Sequence, residues 1–359
     1  MGKYSEFISL KRRPVETPES LVKDGIPVFG TFDKEFINLN LLDVKKPTAL
    51  PNSFNKIRLT LWEAVELKFK EGMMLIAVSD MAIFGITKVV FFDYRSREVY
   101  TFDNTIPSKE TVISKNLLNG DRTFGESKNS SVEFINNFEI GEAHIKGYSK
   151  NDVDIAEFDF HLRGISKPSV VSIPFGENRP LYTEKLLFKA EGKASFNGEE
   201  FDLSEAYAII DDHRGYYPRR AHYDWLCSMG KCESDGKMVE FGFNLTRNQS
   251  TNPEDYNENL LWLNDKLFPL PPVTFEKKAE TKILRKGLIQ EVRVKDEHGM
   301  VDLTYMVEKT SAMITHAVVV KIDYYITFGR INGYILDEDG NKYIFNDTEA
   351  IGEDKTLLL

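Results

Sequence analysis

Residues 208–225 read Ala-Ile-Ile-Asp-Asp-His-Arg-Gly-Tyr-Tyr-Pro-Arg-Arg-Ala-His-Tyr-Asp-Trp, the densest run of chemically useful side chains in the chain. An apolar strand end runs straight into Asp211, Asp212, His213 and Arg214. Along an extended strand, successive side chains point to opposite faces. Tyr207, Ile209 and Asp211 therefore share one face, and Ala208, Ile210 and Asp212 share the other. A carboxyl set in an apolar wall resists ionisation, and its pKa rises by up to ~3–5 when it is fully buried. A carboxyl kept protonated near neutrality is a general acid. Asp211 is the first candidate for that role. Asp212 is its alternate, and Tyr217 is a hydrogen-bonding partner for the acid or the substrate. The same residues also fit a plainer role, in which an aspartate pairs with Arg214, Arg219 or Arg220 and fixes a turn.

Other chemistries have weaker support. His213 and His222 stand nine apart, and Cys227 and Cys232 five apart. Neither spacing matches a common zinc pattern. The cysteines are expected as free thiols, and no metal is expected. No Gly-x-Ser-x-Gly elbow supports a nucleophilic serine. Gly329-Arg-Ile-Asn-Gly333 lacks the spacing and the following helix of a phosphate loop. No cofactor is expected. Acidic residues are plentiful, so paired glycosidase carboxylates stay open as a reading. Glu258, Asn259, Trp262 and Glu353 are the natural sugar contacts.

These side chains need a scaffold, and the composition bounds it. The 359 residues are 42% hydrophobic and 28% charged, which is a globular balance. Net charge is 46 − 56 = −10. That argues against a nucleic-acid binder with a broad basic face and against a polybasic membrane anchor. The apolar run from Met73 to Val78 is too short to span a bilayer. The first residues, Met-Gly-Lys-Tyr-Ser-Glu-Phe, lack an apolar signal core, so a cytoplasmic location is expected. Aromatics are the outlier, with 25 Phe, 15 Tyr and 3 Trp. Rings in this number either fill the space between sheets or line a ligand cavity.

The pattern is that of an all-β protein. Residues 1–55 read as an extended leader with a short turn or strand near Val28 to Phe32. Leu75 to Val78 and Val89 to Phe92 are strand-length apolar runs, and Tyr94 to Glu98 reads as a hairpin connection to Val99–Phe102. Asn197-Gly198 supplies the two positive-φ residues of a type I′ hairpin turn. Val239, Phe241, Phe243 and Leu245 alternate with polar or small residues, a period of two. Two later hairpins turn at Glu297-His-Gly299 and Asp339-Gly340. Thr60 to Phe69 has a mixed pattern, and Pro253-Glu-Asp opens a helical turn. Many short antiparallel strands without strand–helix alternation predict two barrel or sandwich domains with few short helices. The expected division is 1–190 and 191–359.

Several elements resemble, in their order and spacing, a known bacterial family, the domain of unknown function 2804. They are Val28-Phe-Gly-Thr-Phe32, Leu61-Trp62-Glu63, Val78-Ser-Asp80, Leu181-Tyr-Thr-Glu-Lys185, Asp211 with Arg214-Gly215-Tyr-Tyr-Pro218, Trp225, Phe241-Gly-Phe-Asn-Leu245, Asn257-Glu258-Asn259, Gly329 with Gly333, and Gly352-Glu353. The resemblance runs from about Pro27 onward. More remotely the chain is similar to the lipocalin-like double-barrel group, which includes carotenoid 1,2-hydratases, AttH-like proteins and some fungal Diels–Alderases. Ile210-Asp211 and Tyr223-Asp224-Trp225 would be the counterparts of that group's motif. Tyr223 stands where the group often has Trp, and Asp-His-Arg follows Asp211. The resemblance thus implies two lipocalin-like barrels and a cavity for an apolar small molecule. It says less about a reaction.

Three readings follow. In the first, the chain is a cofactor-independent lyase or isomerase that hydrates, isomerises or cyclises an apolar small molecule. Asp211 gives the proton, Arg214 orients a substrate carboxylate, and Trp62 and Trp225 wall the site. Lys185, Asn244, Glu258 and Asn259 are further binding candidates. In the second, the chain only binds a lipid or hydrophobic metabolite. The third is the carbohydrate-active protein. The surroundings of Asp211 separate the first two: a carboxyl in the cavity without a cationic partner favours catalysis, and one locked to Arg214 in a bidentate pair favours architecture.

Overall fold

The computed structural model describes residues 3–281, 288–316 and 321–358. The chain is all-β, with one single-turn α-helix (Asn55–Arg58) and a few 3-10 turns among the described residues. The leader supplies β1 (Val22–Lys23), β2 (Ile26–Pro27) and β3 (Gly30–Phe32). β4 (Leu59–Phe69), β5 (Gly72–Asp80), β6 (Phe84–Asp93) and β7 (Glu98–Pro107) form an antiparallel meander. β8 (Thr111–Val112), β9 (Asp121–Ser127), β10 (Ser130–Asn137), β11 (Glu142–Lys150) and β12 (Ile155–Gly164) form another. β13 (Ser169–Pro174), β14 (Pro180–Phe196), β15 (Glu199–Glu200) and β16 (Ala206–Tyr216) follow. β16 pairs with β4 on one side and β14 on the other, and so joins the two meanders into one sheet.

That sheet curls into a nearly closed barrel. Gly125 on β9 lies so close to the far meander that a Cβ there would come 2.7 Å from Thr87 Cγ2 on β6 and 2.9 Å from Ile106 Cδ1 on β7. Thr87 Oγ1 donates to Ser130 Oγ at 2.8 Å, and Asn104 Nδ2 donates to Ser149 Oγ at 3.0 Å. The interior is packed with alternate residues of each strand, among them Val65, Ile76, Phe91, Phe134, Phe160 and Ile210. A second cluster, built on leader residues such as Leu21, Phe32, Phe36 and Leu41, packs against Leu59, Tyr182 and Tyr216.

The other unit has nine strands. They are β17 (Arg220–Ser234), β18 (Lys237–Arg247), β19 (Leu260–Leu263), β20 (Lys266–Pro269), β21 (Thr274–Thr281), β22 (Leu288–Lys295), β23 (Val301–His316), β24 (Lys321–Leu336) and β25 (Lys342–Leu358). They run antiparallel in the order β20-β19-β18-β17-β25-β24-β23-β22-β21, a half-barrel around Phe241, Phe243, Val294, Leu303, Ile331 and Phe345.

The two compact units are Pro14–Tyr217 and Pro218–Leu359 together with the residues up to Arg13. The division therefore falls at 217/218 rather than at the expected 190/191. β14 runs through position 190, and β16 is hydrogen-bonded on both sides within the first sheet. The leader's first residues join the later unit through Arg12, whose guanidinium donates to the carbonyls of Asn257 and Asn259 at 2.7 Å each.

The expected hairpins are present. Asn197 (φ 52°) and Gly198 (φ 82°) both take the positive φ that a type I′ turn requires. The mixed stretch Thr60–Phe69 is strand: Glu63 and Glu66 are buried, which spoils the alternation that marks a half-buried strand. Pro253 opens a turn and not a helix.

Candidate functional site

Every residue of β16 is buried, so this strand is covered on both faces. It nevertheless carries Asp211, Asp212, His213 and Arg214. Buried charges must be paired or hydrogen-bonded, and the cross-strand register supplies the partners. Lys185 on β14 stands directly opposite Asp211. Thr183 on β14 and Trp62 on β4 stand opposite His213. On the other face, Glu184, Asp212 and Glu63 form a row across three neighbouring strands. The two aspartates thus face opposite ways, as alternation requires.

On the first face Lys185 is the centre. Its side chain is only 1% exposed. Within this unit Nζ lies 2.5 Å from Asp211 Oδ1, 2.8 Å from Thr183 Oγ1 and 2.8 Å from His213 Nε2. His213 Nε2 is also 2.9 Å from Asp211 Oδ1. Lysine is almost never fully buried unless paired, and here it meets a carboxylate and a second nitrogen base. When the ammonium donates to His213, Nε2 must accept, and the ring proton then sits on Nδ1. When the ammonium passes that hydrogen-bonded proton to Nε2, His213 becomes the donor to Asp211 and Lys185 is left as a neutral amine. The imidazole stacks on half-buried Trp62 at 4.7 Å between ring centroids, with 13° between the planes. Trp62 also stacks on Tyr217 at 5.6 Å, and Phe175 meets Tyr217 edge-on.

Asp211, Lys185, Trp62 and Tyr217 are therefore brought together, and His213 completes the set. Asp212 and Arg214 are not part of it. The Arg214 guanidinium grips Asp212 in a fork, Nε to Oδ2 at 2.7 Å and a second nitrogen to Oδ1 at 3.0 Å. Its remaining N–H groups reach the carbonyls of Ser114 and Lys115 and the Ser114 hydroxyl. With every donor engaged, Arg214 has none left for a substrate carboxylate, and Asp212 is no alternate to Asp211.

The interior face holds a second cluster of ionisable side chains. Glu35, Glu63, Glu184 and Asp212 are four buried carboxyls against one guanidinium, Arg214. Four charges on one cation would be prohibitive in a dry interior, so protons make up the balance. Burial, reinforced by the Asp212 charge, pushes Glu63 up to about 7. Burial pushes Glu35 up to about 8. Burial and the neighbouring Glu35 raise Glu184 well above its ordinary value. Asn136 Nδ2 donates to Glu63 at 2.8 Å, and the Tyr182 hydroxyl donates to Glu184 at 2.8 Å. The signal was present in sequence: Trp62-Glu63, Glu184-Lys185 and Asp211-Asp212 are neighbouring pairs that straddle one sheet.

Trp225, Asn244, Glu258 and Asn259 lie in the other unit and brace each other. Trp225 Nε1 donates to Asn244 Oδ1 at 2.6 Å, and Asn244 Nδ2 donates to the Glu258 carbonyl at 2.9 Å. Asn259 accepts from the Thr246 N–H at 2.6 Å and donates to the Pro271 carbonyl at 3.0 Å. The Glu258 carboxylate accepts from Asn248. Asn244 and Asn259 thus fasten the loop before β19 and are not exposed binding groups. Trp262 is fully buried, and Glu353 accepts from the hydroxyls of Tyr223 and Tyr324. The expected sugar contacts are accordingly interior or engaged. Asp224, the middle residue of Tyr223-Asp224-Trp225, is fully buried and held by Lys277, Arg247 at 2.5 Å and His222 at 3.3 Å. Cys227 and Cys232 are buried thiols, not joined in a disulfide.

The family resemblance rests on elements spread over both units, and a family match runs over them: residues 12–357 fit the description "Domain of unknown function (DUF2804)". The chain belongs to that family. No curated protein matches it. Among solved structures, the chain is similar to kievitone hydratase from Nectria haematococca, at 11% identity and a TM-score of 0.49, over 83% of this chain and 88% of that one. It is also similar to CghA crystallised with Sch210972, at 10% identity and a TM-score of 0.36, over 84% and 88%. No helix among the described residues is long and apolar enough to cross a membrane.

Proposed function

We propose that this DUF2804 protein is a cofactor-independent acid–base enzyme acting on an apolar small molecule, and that Lys185, Asp211 and His213 move the proton. The observation that carries the reading is the position of Lys185 Nζ, nearly unexposed and within 2.8 Å of both Asp211 and His213 Nε2. Two nitrogen bases and a carboxylate at these distances form a hydrogen-bonded chain along which a proton can pass. Trp62 and Tyr217 add π-faces beside it, suited to a flat or unsaturated substrate and to positive charge developing on it. Proton addition and removal next to a π-system is sufficient chemistry for hydration, isomerisation or cyclisation. Asp211 acts as the carboxylate of the relay, and its expected role as a lone protonated acid gives way to proton donation from the Lys185–His213 pair.

The same salt bridge favours a second reading, a carrier of a hydrophobic metabolite in which Lys185 and Asp211 only brace the sheet. Native mass spectrometry of the purified chain, followed by denaturing extraction, would identify a co-purified small molecule. That compound is then incubated with fresh protein in ¹⁸O-water and in D₂O. Protein-dependent uptake of oxygen-18 or deuterium supports the enzyme. Binding without label uptake supports the carrier.

A further inference from the structure

We propose a second site, for a divalent transition-metal ion of the zinc class, on the outer face of the barrel at His144, Asp159 and His161. These residues belong neither to the proton relay nor to the interior carboxyl cluster. Interior and exterior alternate along β11 and β12, so Ala143, Ile145, Phe160 and Leu162 pack inside. His144, Asp159 and His161 face outward. His144 and His161 stand directly opposite each other in the antiparallel register. Their rings are 4.0 Å apart between centroids, with planes 17° apart. Asp159 sits two residues before His161, and its Oδ1 lies 2.6 Å from His144 Nε2.

One ligand atom from each residue lies within 4.8 Å of the other two. Donors bound tetrahedrally to zinc at about 2.0–2.1 Å stand about 3.4 Å from one another. Closing the gap takes shifts on the order of 1 Å in side chains whose ends are exposed to solvent. Glu191 on β14 stands opposite His161 and is the protein group nearest in register to complete the shell. Two imidazoles with one carboxylate select zinc, nickel or copper over magnesium or calcium, which prefer all-oxygen shells. Asp159 also lines a shallow groove with Glu133, Lys146, Tyr148, Glu157 and Lys193, so the ion would sit at the edge of a concave, accessible surface. The only other such cluster among the described residues, His222, Asp224 and Asp354, already has Lys277 bridging its two carboxylates.

The test is calorimetric titration of the untagged full chain with zinc chloride at mildly alkaline pH, where imidazole is neutral. Wild type is expected to bind one equivalent. His144→Ala and His161→Ala are each expected to weaken binding about tenfold or more, with metal-free circular dichroism and Tm unchanged. Cobalt substitution is expected to give a visible absorption band in wild type that His161→Ala loses. Absence of binding by wild type would overturn the proposal. So would equal affinity in wild type and both variants, because the ion would then be held elsewhere.

Discussion

Lys185 and Asp211 face each other across two central strands, their charged atoms 2.5 Å apart and almost closed to solvent. Neither charge belongs in such a place alone. Together, and with Thr183 and His213 as further partners, they turn a fully buried strand into a site able to hold a mobile proton.

The pair should behave as a unit. Lys185→Met leaves a buried carboxylate without its ammonium, and a loss of about 3–5 kcal/mol is expected. Lys185→Met combined with Asp211→Leu removes both charges and should cost much less than the sum of the two single changes. Urea unfolding of the four proteins measures this. Additive losses would mean that the two groups are not coupled.

The interior carboxyls set a pH dependence of definite sign. Glu35 and Glu63 titrate near 8 and 7 in the folded chain, burial also raises Glu184, and all three return to ordinary values on unfolding. Between those limits the folded state holds more protons. Their stabilising contribution is therefore complete below about pH 4.5 and is lost as pH rises through about 7–8. Tm should fall by several degrees between about pH 5.5 and about pH 8.5. Glu63→Gln should flatten that slope. A Tm that is level or rising over the range would contradict the proton count.

Asp224 works in the opposite sense. Burial disfavours its charge, but hydrogen bonds from His222 and the Lys277 ammonium outweigh burial and hold it down at about 2. Its contribution is present above the ordinary aspartate range and is lost as pH falls through about 2. Asp224→Ala should cost about 2–3 kcal/mol, less than a fully enclosed pair, because the Arg247 side chain is 48% exposed. Chemical denaturation near neutral pH checks the loss. A change of under about 0.5 kcal/mol would show that the cluster is only a surface arrangement.

The fold class and the hairpins were legible because they rest on local rules. Asn197-Gly198 can hardly be anything but a tight turn, and Phe241, Phe243 and Leu245 mark one buried face. The domain division was not legible, since β16 is assigned by its long-range pairing with β4, about 150 residues away. Within the site, the opposite aims of Asp211 and Asp212 follow from alternation alone. The choice of Lys185 for Asp211 and Arg214 for Asp212 does not, because register decides which cation meets which carboxylate. Asn244 and Asn259 looked like binding groups because a polar side chain in sequence gives no sign that its hydrogen bonds are internal.

The central claim is that Asp211, Lys185 and His213 transfer a proton. The most direct measurement is label uptake from ¹⁸O-water and D₂O into the co-purified compound, comparing wild type with Asp211→Asn. The account predicts that the variant still binds the compound in native mass spectra but incorporates label at under about one hundredth of the wild-type rate. Label uptake at the wild-type rate by a folded Asp211→Asn protein would contradict it.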